Sequence, residues 1–181
     1  MNFRNLLMGA AVSVAALSLA AAANAAAPDT QTATTSSDAT VLRPITISDG
    51  GVALSFGKIV KPRTSAGNGT VTITNAASPG ISATGEIVLL GSYTRPTYTI
   101  QGEGTQTYTL TVPATFALAG PSSSSLTVTL NPSMATGSHT FGGTLGSAAT
   151  DLLYIGASVP ITDATTSGAY SGSYDVTVAY N

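Results

Sequence analysis

The sequence predicts an all-β protein built as an antiparallel β-sandwich, and three observations predict it. Short segments in which Val, Ile, Leu or Tyr alternates with Thr recur along the chain, each bounded by Gly, Pro or Asn. Alternation at period two places the apolar set on one face of a strand. Threonine between those residues fits a half-buried pleat while its hydroxyl meets water. Beyond the N-terminal stretch no segment carries helical periodicity, and charged residues make up only 8% of the chain. About eight to ten strands of this kind need two packed layers to cover their apolar faces.

The chain opens with Arg4, an apolar run over residues 6–23 broken by Gly9 and Ser13, and Ala23-Asn24-Ala25. A positive start, a short apolar core and a small-residue cleavage site read as a secretory signal peptide over residues 1–25. The run suits cleavage better than a retained helix, which needs ~20 apolar residues. No membrane span is expected after cleavage. Residues 26–38 are polar and low in complexity, as a flexible arm would be. Residues 39–181 then form one domain, large enough to bury about two-thirds of its unfolded surface.

From Ala39 an apolar stripe runs through Val41, Ile45 and Ile47, with Pro44 placing it at an edge or splitting it. Asp49-Gly50-Gly51 turns the chain. Val52, Leu54 and Phe56 alternate inward, and Gly57 marks a bulge or bend before Ile59. Residues 61–69 form a loop holding two of the six basic residues, Lys61 and Arg63, read as solvated. Within it Asn68-Gly69 reads as a hairpin turn, although Asn68-Gly69-Thr70 also matches the glycosylation pattern. Strands follow over residues 70–74, 86–90, 97–100, 107–112, 126–130 and 153–161, with Gly102-Glu-Gly104 as a second hairpin turn and a loop at Pro121. At the C-terminus Tyr174, Val176, Val178 and Tyr180 share one strand face behind a Gly-Ser run that begins at Gly168.

Function classes narrow by elimination. Six basic against eight acidic residues leave no basic face for nucleic acid. Cysteine is absent, which removes disulfides and thiolate metal sites. His139 is the single histidine; Ser138 beside it falls on the opposite strand face, and no Gly-x-Ser-x-Gly elbow occurs. Asp49, Glu86, Glu103, Asp151 and Asp163 are scattered, without the spacing of a calcium loop or any sign of a glycosidase pair. Gly102-x-Gly104 has no following helix to cradle phosphate. The chain is therefore read as a non-enzyme with no catalytic residue, cofactor or metal. Tyr93, Tyr98, Tyr108, Tyr154, Tyr170 and Tyr174 supply aromatic surface. They keep open an alternative: a self-contained secreted sandwich acting at a surface, in a matrix or on a carbohydrate.

Two motifs carry a resemblance. They are Leu54-Ser-Phe-Gly-Lys-Ile59 and Gly168-Ala-Tyr-Ser-Gly-Ser-Tyr-Asp-Val-Thr-Val-Ala-Tyr-Asn181. The chain resembles a domain-of-unknown-function family of secreted proteobacterial proteins that read Leu-x-Phe-Gly-x-Ile near the start and end in Val-Thr-Val-x-Tyr. That family is similar to the subunits of chaperone–usher fimbriae and to spore-coat-U-like proteins. Such subunits end in an alternating strand with a penultimate tyrosine and a glycine fourteenth from the end, here Tyr180 and Gly168. The cysteine pair that many of them carry is missing.

The resemblance implies an immunoglobulin-like sandwich lacking one strand. A periplasmic pilus chaperone fills the gap first, and an outer-membrane usher then exchanges it for the N-terminal arm of the next subunit in a homopolymer on the cell surface. Under that expectation Gly168, Tyr174, Val176, Val178 and Tyr180 meet the chaperone or the next subunit, and Gly168 relieves crowding because it lacks a Cβ. The donor arm runs through Ala33 and Ala39 to Val41. The stripe over residues 39–47 is apolar enough to be the donor instead, and it serves equally well as the domain's own first strand.

Overall fold

The computed structural model describes residues 30–181; the signal peptide assigned to residues 1–25 and the start of the arm lie outside them. The chain divides after Ala39, and the sandwich is the unit Thr40–Asn181. Residues 30–44 form no regular structure and are exposed. Their run of Thr, Ser, Ala and Asp offers too little apolar surface to offset the entropy of ordering.

The strands are β1 (Thr46–Ser48), β2 (Lys58–Val60), β3 (Gly69–Ile73), β4 (Ile81–Ala83), β5 (Val88–Leu90) and β6 (Thr97–Glu103). Then come β7 (Thr107–Thr111), β8 (Thr115–Ala119), β9 (Ser125–Pro132), β10 (Gly137–Thr140), β11 (Ala148–Ile161) and β12 (Thr177–Tyr180). Among the described residues every ladder is antiparallel. The all-β sandwich expected from the alternation is the fold observed.

The long strand β11 is the spine. Its first half pairs with β6, from Ala148 on Glu103 to Tyr154 on Thr97, and β6 pairs on with β1. Its second half pairs with β3 and β9. Ala157 and Ser158 are matched to both, so β3 and β9 flank β11 on opposite edges. Gly156 sits where the partners change: a Cβ there would stand 2.5 Å from the Ile73 carbonyl oxygen, so only glycine lets β3 close in. β4 extends β3, and β8 extends β9. A three-stranded sheet, β10-β7-β12, forms the second layer.

One apolar core joins the layers. Ile100, Leu153, Ile155, Val71 and Val128 of the large sheet are fully buried, as are Tyr108 and Leu110 of β7. Among the contacts that link the layers, the Tyr108 hydroxyl donates to Asp151 Oδ2 at 2.7 Å, and the Phe116 ring lies 4.9 Å from that of Tyr174, just ahead of β12. Burial, then the Asp151 carboxylate, hold the Tyr108 phenol well above its ordinary range.

Two expected hairpins are not hairpins. Gly102-Glu-Gly104 leads from β6 to β7, which lie in different sheets, so the turn crosses the sandwich. The strands flanking Asn68-Gly69 do not pair either: β2 pairs with β5 and β3 with β11 and β4. Turn chemistry specifies that the chain bends, and long-range packing decides what each arm then meets. The strand expected from Val52 is also shorter. Val52 is exposed, Leu54 and Phe56 pack on the core, and Gly57 at φ +73° shifts the inward set from even to odd positions, ending at Ile59.

Candidate functional site: an open cleft beside the terminal strand

The terminal strand is only half zipped into its sheet. Thr177, Val178, Ala179 and Tyr180 pair with Thr111, Leu110, Thr109 and Tyr108 of β7, and β12 is the edge of that sheet. Ahead of them, residues 172–176 are extended yet form no backbone–backbone hydrogen bond. Tyr174, Val176, Val178 and Tyr180 all pack against the core, as their even spacing requires. The Tyr174 hydroxyl is enclosed without a hydrogen-bond partner, and burial, with Tyr98 beside it, raises its phenol well above the ordinary value.

Next to this stretch opens a cleft of about 900 Å³. One wall is residues 54–61, the segment that carries Leu54-Ser-Phe-Gly-Lys-Ile59. The other is residues 165–172, a strap leading from the end of β11 into the terminal strand. The floor is apolar: Phe116 and Leu118 of β8, Leu126 of β9, Val159 and Ile161 of β11. The two sequence motifs, 114 positions apart from Leu54 to Gly168, are thus brought to facing sides of one groove.

Both walls have spare backbone groups. The first is held from outside only, by Ser55 on Thr94 at 2.9 Å in both directions and by the β2–β5 ladder. Neither Leu54 nor Phe56 enters a backbone hydrogen bond. The strap is pinned at its ends. Ser171 exchanges hydrogen bonds with Ala119 at 2.8 and 2.9 Å, and residues 166–170 make no backbone–backbone bond. At the other end Lys61 Nζ donates to the carbonyl oxygens of Asp163 at 2.8 Å and Thr165 at 2.7 Å. Within the strap Tyr170 donates its hydroxyl to the Thr166 carbonyl at 2.8 Å. Gly168, at φ +153°, packs on Pro121: a Cβ would stand 2.6 Å from Pro121 Cγ. The room that glycine makes here is taken by the chain's own Pro121 turn.

Tyr180 is placed at the far end of β12, away from the cleft lining. Its hydroxyl donates to the Arg43 carbonyl at 2.9 Å and accepts from the Glu103 backbone N–H at 2.7 Å. Glu103 is buried, and its carboxylate accepts from the backbone N–H groups of Arg43 and Gly146 and pairs with Arg43 Nε at 3.4 Å. A buried carboxylate needs such partners. The penultimate tyrosine thus ties the end of the terminal strand to the point where the N-terminal segment leaves the fold. Ala33, Ala39 and Val41 are exposed on that segment, Val41 to 90%.

The sequence pattern singled out neither β4, β8 and β10 nor Lys61. Thr115-Phe-Ala-Leu-Ala119 alternates as plainly as the expected strands, β4 and β10 are too short to show a pattern, and Lys61 carries no local sign of its role. His139 shares a hydrogen bond with the Ala135 carbonyl at 2.7 Å, its ring lies tilted 5.7 Å from that of Tyr108, and Asn181 Nδ2 donates to Ser138 Oγ. Among the described residues no group of His, Asp and Glu is arranged to hold a metal ion, and no helix is long and apolar enough to cross a membrane.

Comparison with known proteins found no match among curated proteins and none among solved structures. A family match covers residues 45–180, from the first inward-facing isoleucine to the penultimate tyrosine, taking in both cleft motifs. The chain belongs to the family described as domain of unknown function DUF4402.

Proposed function

We propose that the protein is an exported structural subunit of a fimbria-like surface fibre, an incomplete immunoglobulin-like sandwich assembled by donor-strand complementation. The cleft carries this reading. Eight consecutive residues line each wall, the floor is apolar, and both walls present unpaired backbone groups. An extended segment laid along it forms on the order of eight backbone hydrogen bonds, each worth ~0.5–1.5 kcal/mol net. That sum is comparable with the whole stability of a domain, about 5–15 kcal/mol. The acceptor alone is thus marginal, and its edges invite pairing with another chain. The donor is the N-terminal arm of the next copy, through Ala33, Ala39 and Val41, after a periplasmic chaperone and an outer-membrane usher have handled the subunit.

The tyrosines favour this over sugar binding. Tyr108 is buried, Tyr93, Tyr98, Tyr154, Tyr170 and Tyr174 are half-buried, and none forms an exposed platform. The test is periplasmic expression with and without a pilus chaperone, followed by an SDS gel of unheated samples. Chaperone-dependent yield and a heat-labile ladder are expected. Deleting residues 26–41 should leave chaperone binding intact and abolish the ladder. A well-expressed, stable monomer without chaperone, and no ladder, overturns the proposal.

A further inference from the structure

We propose that Lys61 is a positioning residue: its clasp on the strap closes one end of the cleft and sets the register of the strand that enters. The inference rests on the cleft's role as a strand acceptor. Lys61 is the last residue of one wall and Thr165 the first of the other, so the Nζ bonds to Asp163 and Thr165 join the walls where the groove ends. The walls diverge in chain direction from there, one running back to Leu54 and the other on to Gly172. The clasp is braced. Asn68 Oδ1 accepts from the Asp163 backbone N–H at 2.8 Å, and Thr162 and Thr165 close a tight turn on each other. A primary ammonium carries three donors, enough to hold both carbonyl oxygens at once.

A stop is needed because the donor does not specify register by itself. On one face of the arm stand Gln31, Ala33, Thr35, Ser37, Ala39 and Val41, on the other Thr30, Thr32, Thr34, Ser36, Asp38 and Thr40. The small, similar residues that make up most of the arm leave register weakly specified, and a slip of two residues keeps the same face inward. Length does not settle it either. Residues 54–61 span roughly 23 Å as a strand, whereas the twelve residues 30–41 reach about 36 Å. An entering strand that cannot pass the Lys61 clasp has one place to stop.

The chain has no cysteine, so introduced pairs report cleanly. Full-length variants carry Ser167→Cys in the strap and one cysteine at each arm position from 31 to 41 in turn. Fibres are assembled with chaperone and usher and run on non-reducing gels. With Lys61 intact, one arm position should give at least about tenfold more cross-linked product than those two residues away, and Lys61→Met should level these to within about threefold. Lys61→Arg, which keeps a donor, should retain one dominant position. Should Lys61→Met fail to fold, Asn68→Ala loosens the same turn from its other side and should also level the pattern. A single unchanged position in Lys61→Met or Asn68→Ala overturns the clasp and leaves strand acceptance standing. No cross-link at any position with Lys61 intact overturns both.

Discussion

Replacing Tyr180 with Phe removes one oxygen and should cost more than most single-atom changes. The Tyr180 hydroxyl accepts from the Glu103 N–H at 2.7 Å and donates to the Arg43 carbonyl at 2.9 Å. Glu103 is only 2% exposed, so its N–H is stranded once the oxygen is gone. A stranded buried donor costs ~1–3 kcal/mol, whereas the Arg43 carbonyl, on an exposed segment, recovers a bond to water. The expected loss is about 2 kcal/mol, or several degrees in the thermal midpoint of a domain this size. The assay is urea denaturation of purified wild type and Tyr180→Phe at equal protein concentration. Tyr93→Phe is the comparison, because its hydroxyl makes a single hydrogen bond, to the Pro79 carbonyl at an exposed site, and its loss should cost under about 0.5 kcal/mol. Equal midpoints for Tyr180→Phe and Tyr93→Phe would refute the pinning role of the penultimate tyrosine.

Two further outcomes are expected. Gly168→Ala places a Cβ 2.6 Å from Pro121 Cγ at a φ of +153°, and should destabilise the protein by roughly 1–3 kcal/mol; a midpoint equal to wild type in thermal melting contradicts the packing described. Stability should also fall at alkaline pH. The Tyr108 phenol is raised in the fold, while the unfolded phenol ionises near pH ~10, so above that pH the unfolded state binds fewer protons. The stabilisation is fully present below pH ~10 and is lost as pH rises, by up to ~1.4 kcal/mol per pH unit for this group. Tyr174 adds in the same direction. Urea midpoints that hold constant from pH 9 to 11.5, for wild type against Tyr108→Phe, would sink this linkage.

The layers were legible because burial at period two writes itself into each strand: Leu153, Ile155, Ala157, Val159 and Ile161 could face only one way. The start of β11 was less legible, since adjacent Leu152 and Leu153 blur the alternation and Leu152 is 50% exposed. The terminal strand and the Leu54-Ser-Phe-Gly-Lys-Ile59 motif could be read locally, but their meeting across one cleft could not. A cleft is made by strands that fail to pair, and pairing is a long-range property. Lys61 shows the same limit. Its partners are main-chain carbonyls of residues 163 and 165, which any sequence would supply.

Amide hydrogen exchange at the cleft walls tests strand acceptance most directly. The N–H groups of Leu54, Phe56, residues 166–170 and Gly172 make no backbone–backbone hydrogen bond in the isolated fold and should exchange fast there. In assembled fibres, or with a synthetic peptide of residues 30–42 in excess, the alternate amides that face the entering strand should slow by at least about a hundredfold, the equivalent of ~2.7 kcal/mol of opening cost. Amides at the β7–β12 ladder should change little. Unchanged exchange along both walls in fibres that have demonstrably formed would contradict it.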